Sequence, residues 1–125
     1  NALEGALSRA RKNGISVVLY GTGCRANMLV NGLSLGSLID YSVDDQEERQ
    51  GMYLPGSRLP IYPPEKLRGE EKPVICLLAV NNENEQKVSS KCAEILGSQV
   101  TCISLLAPKD ICGELKKIEG AILTV

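Results

Sequence analysis

The stretch Ser16 to Ala26, SVVLYGTGCRA, holds the residues best suited to chemistry, because a β-rich apolar run there meets Gly21-Thr22-Gly23 and then a helix-compatible sequence. Glycine lets a chain reverse tightly after a strand and lets a ligand approach bare amides at a helix N-terminus. Gly21, Gly23 and Ala26 fill the small positions of a G-x-G-x-x-G/A phosphate-facing turn, and Ala26 is small enough for the helix to pack on the strand. The same pattern asks for an acid about 20 positions later. Asp44 and Asp45 close the next apolar run, Ser37–Val43. Together these features predict a nucleotide-binding βαβ unit; the competing reading is a tight strand-to-helix connection that binds nothing.

Cys24 falls in the first helical turn after Gly23, where the helix dipole favours a thiolate, yet the sequence has no histidine to serve as its base. A nucleophilic role is therefore disfavoured. Cys76, Cys92, Cys102 and Cys112 form no C-x-x-C pair and sit within or beside apolar segments, so they read as small hydrophobes with free thiols. No metal site is expected from them.

Leu3, Leu7 and Ala10 recur at helical spacing ahead of Asn13-Gly14, which predicts a first amphipathic helix. A strand over Ile15–Tyr20 follows. The helix after the glycine turn uses Met28, Leu29, Leu33 and Leu35, stops at Gly36 and leads to a second strand over Ser37–Val43. Asp44 to Arg68 reads as a long, packed loop with a short extended piece near Leu59-Pro60-Ile61. Pro73–Val80 is a continuous apolar run of the buried parallel type, and Asn82 with Glu85 caps a helix that reaches Leu96. Gly97 ends it, Val100–Leu106 gives another strand, Pro108 and Gly113 mark a connection, and Ala121–Val125 reads as an edge strand. Alternation of strands and helices predicts an α/β fold with a mostly parallel sheet of about five strands.

A length of 125 residues fits one domain, 1–125, and is too short for two full nucleotide-binding halves. With a net charge of −1 and scattered Lys and Arg residues, nucleic acid is not an expected partner. Four tyrosines, with no Phe or Trp, offer no stacking platform for bases. No apolar run approaches the roughly 20 residues a membrane helix needs, and the N-terminal residues lack a signal-peptide apolar region, so no membrane association and a cytoplasmic location are expected. The chain opens at Asn1 without an initiating Met and reads as a piece of something longer.

The order of motifs from about Val17 to Glu85 resembles the C-terminal domain of the sugar C-methyltransferases, S-adenosylmethionine-dependent enzymes acting on nucleotide-linked deoxysugars. The residues that carry it are Leu19-Tyr20-Gly21, Asn31, Asp44-Asp45, Gln50-Gly51, Leu54-Pro55-Gly56 with Leu59-Pro60-Ile61, and Ala79, Asn81 and Glu85. The chain departs from the family pattern with Arg25 in place of lysine and Val80 in place of tryptophan. Arginine keeps the charge but offers a planar fork.

What the resemblance implies is a single Rossmann-like three-layer domain that helps enclose a nucleotide sugar. A zinc-binding part and a methyl-donor domain would lie elsewhere in the methyltransferase. S-adenosylmethionine and zinc are then expected in those parts, with no cofactor, metal ligand or catalytic residue in this chain, which alone would be inactive. The substrate-binding set is Gly21, Thr22, Gly23, Cys24 and Arg25 facing an anionic group, Asp44 accepting from sugar hydroxyls, and Arg58 and Asn81 at the rim. Each has a plainer reading: Arg25 and Arg58 as solvated surface, Asp44 as a turn starter, Asn81 as a helix cap. Two further readings stay open. One is a stand-alone nucleotide or dinucleotide-binding module; the other is a structural dimerisation or docking domain, which would make a homo-oligomer.

Overall fold

A computed structural model of the chain describes residues 1–106 and 110–124. Helix α1 spans Ala2–Lys12; the Asn1 side chain accepts the Glu4 N–H at 2.8 Å, and basic residues fill its last turn, both favourable to the helix dipole. Gly14, at φ +81°, then turns the chain into β1, Ser16–Tyr20. All five residues of β1 are buried, as the centre of a parallel sheet requires.

Five parallel strands form one sheet in the order β3-β2-β1-β4-β5, where β2 is Tyr41–Val43, β3 is Ile61–Tyr62, β4 is Val74–Leu78 and β5 is Val100–Ser104. This is the strand order of a Rossmann-like half, and it reverses direction between β1 and β4. Helices α2 (Cys24–Gly32), α3 (Asn82–Leu96) and α4 (Ile111–Leu123) complete the fold.

Alternating side chains divide the core into two layers. Val17, Leu19, Ile75, Leu77 and Ile103 face one side, where Leu7, Ala10, Ala26, Val30 and Ile118 of α1, α2 and α4 cover them. Val18, Tyr20, Cys76 and Leu78 face the other, against Val88 and Cys92 of α3 and Leu67 of a 3₁₀ segment, Pro64–Gly69. The expected three-layer α/β architecture is therefore present.

Several boundaries differ from the sequence-based expectation. α2 ends at Gly32 and not at Leu35, because Ser34 takes φ +55° and Leu35 N–H turns back to the Val30 carbonyl at 2.9 Å. Met28, expected on the apolar face of α2, is 72 % exposed. Gly36–Leu38 forms a 3₁₀ turn, so β2 begins only at Tyr41.

The largest correction concerns the C-terminus. Ala121 to Leu123 is the last turn of α4 and not an edge strand, and Gly113 lies within that helix and not in a connection. Leu115, Ile118, Ala121 and Ile122 are spaced for a helix and pack on the core. Pro108 and Val125 lie outside the described residues.

The fifth strand comes instead from the extended piece of the long loop. β3 stands between Pro60 and Pro63, and the chain just before it folds over its outer edge: Ile61 N–H donates to the Met52 carbonyl at 2.9 Å, and Gly51 N–H donates to Ile61 at 2.8 Å. Leu54, Leu59 and Ile61 are buried, so the loop packs down.

Candidate functional site

Gly21 directly follows β1 at φ +104°, and a Cβ there would lie 2.4 Å from the Ala79 carbonyl oxygen. Only glycine fits where the ends of β1 and β4 approach this closely. Gly23 differs: its backbone is extended, and the nearest atom to an added Cβ would be Arg49 Nη1 at 3.9 Å. Its value is the open approach it leaves to the backbone. Ala26 is buried at the helix–sheet contact, as the pattern asks.

Gly23 is also the N-cap of α2, whose first turn has neither a side-chain cap nor an acidic residue. The first hydrogen bond of the helix is Asn27 N–H to the Gly23 carbonyl at 3.0 Å. The amides of Cys24, Arg25 and Ala26 therefore point out of the helix end, where the dipole is positive.

Between Gly21 and Gly23, Thr22 is fixed by Asp44. Asp44 Oδ2 accepts from Thr22 N–H at 2.9 Å, Thr22 Oγ1 at 2.7 Å and Arg49 Nη1 at 3.2 Å, while Oδ1 accepts from Gln46 N–H at 2.9 Å. Gln50 Nε2 donates to the Asp44 carbonyl at 2.9 Å. Burial favours the neutral acid, but donation from the Thr22 hydroxyl, the Gln46 and Thr22 amides and Arg49 outweighs it, and the carboxyl is held below its usual range. With 5 % of its surface exposed and four donors in place, Asp44 holds the turn together.

A cleft of about 1000 Å³ opens at this point, over the carboxyl ends of β1 and β4. That is the topological switch point, the usual ligand position in an open α/β sheet. Gly21, Thr22, Gly23, Cys24, Arg25, Asp44 and Asn81 all line it. Arg25 is exposed and makes no ion pair with a described residue. Asn81 occupies the N-cap of α3, the plainer of its two expected roles, and Asn82 is the first helical residue; the Asn81 carbonyl accepts from Asn84 N–H at 2.8 Å and its side chain makes no cap bond.

Arg58 is placed elsewhere. It sits at φ +61° in the exposed loop that packs on the far end of α2, where Asn31 Nδ2 donates to the Pro55 carbonyl at 3.1 Å. A Cβ on Gly56 would lie 2.8 Å from the Asn31 amide. Asn31 and the Leu54-Pro55-Gly56 loop thus form a packing contact about two helical turns from the cleft.

Other cleft residues, Arg49 and Lys91 among them, were not expected from the sequence. Arg49 closes a 3₁₀ turn, Glu47–Arg49, and its guanidinium lies beside Gly23. Asp45 Oδ1 accepts from both Tyr20 Oη and Lys91 Nζ, each at 2.8 Å. Burial, reinforced by the bond to Asp45, pushes the Tyr20 phenol well above its ordinary value, so it stays a neutral donor. The alternation of β1 put Tyr20 on the α3 side, a signal that was available; the returns of Arg49 and Lys91 to the turn were not.

The donor set does not fit a zinc centre, because among the described residues no three His, Cys, Asp or Glu side chains are grouped to hold a metal ion. No helix among them is long and apolar enough to cross a membrane.

Residues 1–106 match the family model for the C-methyltransferase C-terminal domain. The chain belongs to that family. No curated protein matches this family member.

Proposed function

We propose that this C-methyltransferase C-terminal domain is the substrate side of a sugar C-methyltransferase, and that its cleft takes the diphosphate of a nucleotide sugar. The observation that carries this reading is Arg49, ion-paired with buried Asp44 and set beside Gly23 at the open N-terminus of α2. A guanidinium and outward amides converging on one point suit a bidentate phosphate. Arg25 adds a second cation, and Asn81 supplies an amide on the opposite wall. Asp44 acts as a positioning residue through Thr22 and Arg49, and not as the acceptor from sugar hydroxyls.

Methyl donation from S-adenosylmethionine, and the zinc site, belong in this reading to other segments of the methyltransferase. The chain alone transfers no methyl group. Its cysteines are all free thiols, which fits a reducing, cytoplasmic location.

A dinucleotide-binding module is the reading that strand order and the glycine turn favour next. It needs an acid at the end of β2 open to ribose hydroxyls. Asp44 stands there but turns inward, and Asp45 is engaged by Tyr20 and Lys91.

Calorimetric titration of the chain with a nucleoside diphosphate sugar, NAD and S-adenosylmethionine separates these readings. We expect the sugar nucleotide to bind and Arg49→Ala to weaken it about tenfold, the value of one charge-assisted hydrogen bond. Preferential NAD binding, or no binding of the sugar nucleotide, overturns the proposal.

A further inference from the structure

Asp44 and Asp45 leave the end of β2 with their side chains on opposite sides, as neighbours in extended chain do. Asp44 turns to Thr22 and Arg49 at the glycine turn, and Asp45 turns to Tyr20 and Lys91 at the α3 wall. Asp45 thus follows directly on the acid that holds Arg49. Tyr20, Asp45 and Lys91 all line the cleft.

Both donors to Asp45 fall on the same oxygen. Tyr20 Oη and Lys91 Nζ each reach Oδ1 at 2.8 Å, and no described residue donates to Oδ2. The plain reading of the trio is that a buried phenol needs an acceptor and that an exposed Lys–Asp pair forms beside it. Both needs are met at Oδ1. Oδ2 is left on a side chain that is 51 % exposed at the cleft. The Tyr20 ring is fixed in the core, and its hydroxyl stays a donor, so its bond restricts how the Asp45 carboxylate can turn.

The occupied oxygen limits what Asp45 can recognise. Two donors use the lone pairs of Oδ1, so a ribose diol cannot chelate the carboxylate across both oxygens, but one hydroxyl can reach Oδ2. Resting on the proposed function, we infer that Asp45 Oδ2 accepts the 3′-hydroxyl of the nucleoside whose diphosphate lies at Gly23 and Arg49, with Tyr20 as the residue that positions the acceptor. Ribose, and not the distal hexose, is placed here because the end of β2 is the ribose side of an open α/β sheet that holds phosphate at the first helix N-terminus.

Calorimetric titration of the whole chain with thymidine 5′-diphosphate and its 3′-deoxy analogue, which differ by that hydroxyl alone, tests this. Thymidine 5′-diphosphate should bind about tenfold tighter, the value of one hydrogen bond to a charged acceptor. The preference should disappear in Asp45→Ala. It should shrink in Tyr20→Phe, with affinity for the 3′-deoxy ligand unchanged. The ratio of the two affinities is the readout, because loss of Asp45 also frees the charge of Lys91, which draws both ligands alike. Should Asp45→Ala fold poorly, the two ligands on the unaltered chain decide. Equal binding by the unaltered chain, or a preference that survives Asp45→Ala, overturns the inference and leaves the diphosphate site standing. A full preference in Tyr20→Phe overturns the positioning role. Binding of neither ligand overturns the proposed function together with it.

Discussion

Thr22 gives both its backbone N–H and its hydroxyl to a single oxygen, Oδ2, of Asp44, at 2.9 and 2.7 Å. One side chain just past the end of β2 therefore fixes the peptide between the two glycines. The turn keeps its shape through this pair and not through the glycines alone.

That relationship makes stability depend on acid. The Asp44 carboxyl is held below its ordinary value of 3.8 in the folded chain, so its contribution is fully present above about pH 4 and is lost as pH falls through the lower folded value. Asp44→Asn should lower stability at pH 7 by about 2 kcal/mol, since donors are left facing a weaker acceptor. Urea titrations across pH 2 to pH 7 should show an acid limb in the unaltered chain that the variant lacks or has much reduced.

The two glycines should separate in the same assay. Gly21→Ala meets the Ala79 carbonyl and a left-handed backbone, and should cost about 3 kcal/mol. Gly23→Ala meets only ordinary contact and should cost under about 1 kcal/mol, the difference between Gly and Ala at an N-cap. Under the proposed function its larger effect should be on sugar-nucleotide binding, because the added methyl would stand over the outward amides of α2.

Arg49 and Arg58 should behave oppositely on binding. Under the proposed function Arg49→Ala should weaken sugar-nucleotide affinity about tenfold with little loss of stability, because its guanidinium is partly exposed and the ion pair is screened. Arg58→Ala should leave affinity unchanged in calorimetry, since its loop packs at the other end of α2.

The C-terminal helix should prove part of the core. Ile118 is fully buried against the α1 and α4 face of the sheet, and Ile118→Ala should cost about 3 kcal/mol in urea unfolding, with reduced helical signal. A solvent-exposed final segment would show a change near zero.

Local rules made the central elements legible. β1, its glycine turn, β4 and α3 each combine a strong apolar run with a turn or cap residue, and each lies within a residue or two of its expected place. α4 was missed because Pro108 and Gly113 read as a connection and Ala121–Val125 as an edge strand, while packing of Leu115 and Ile118 on the sheet decided the outcome. At the cleft, the spacing of the glycine turn pointed to Gly21, Gly23 and Asp44, and the family resemblance added Thr22, Cys24, Arg25 and Asn81. It did not reveal that Asp44 faces inward, that Arg49 returns to Gly23, or that Arg58 is carried away by the Asn31–Pro55 contact. Those depend on how the 44–60 segment folds back, which no local pattern encodes.

The self-covering of β3 leaves the sheet lopsided toward neighbours. With prolines on either side and residues 51–53 already docked along it, that margin gives an incoming chain nothing to pair with. Any recruitment of foreign backbone, whether by a companion polypeptide or in aberrant self-association, is directed to the opposite margin, Val100–Ser104, where Glu114 Oε2 already holds the Ser104 amide at 3.3 Å.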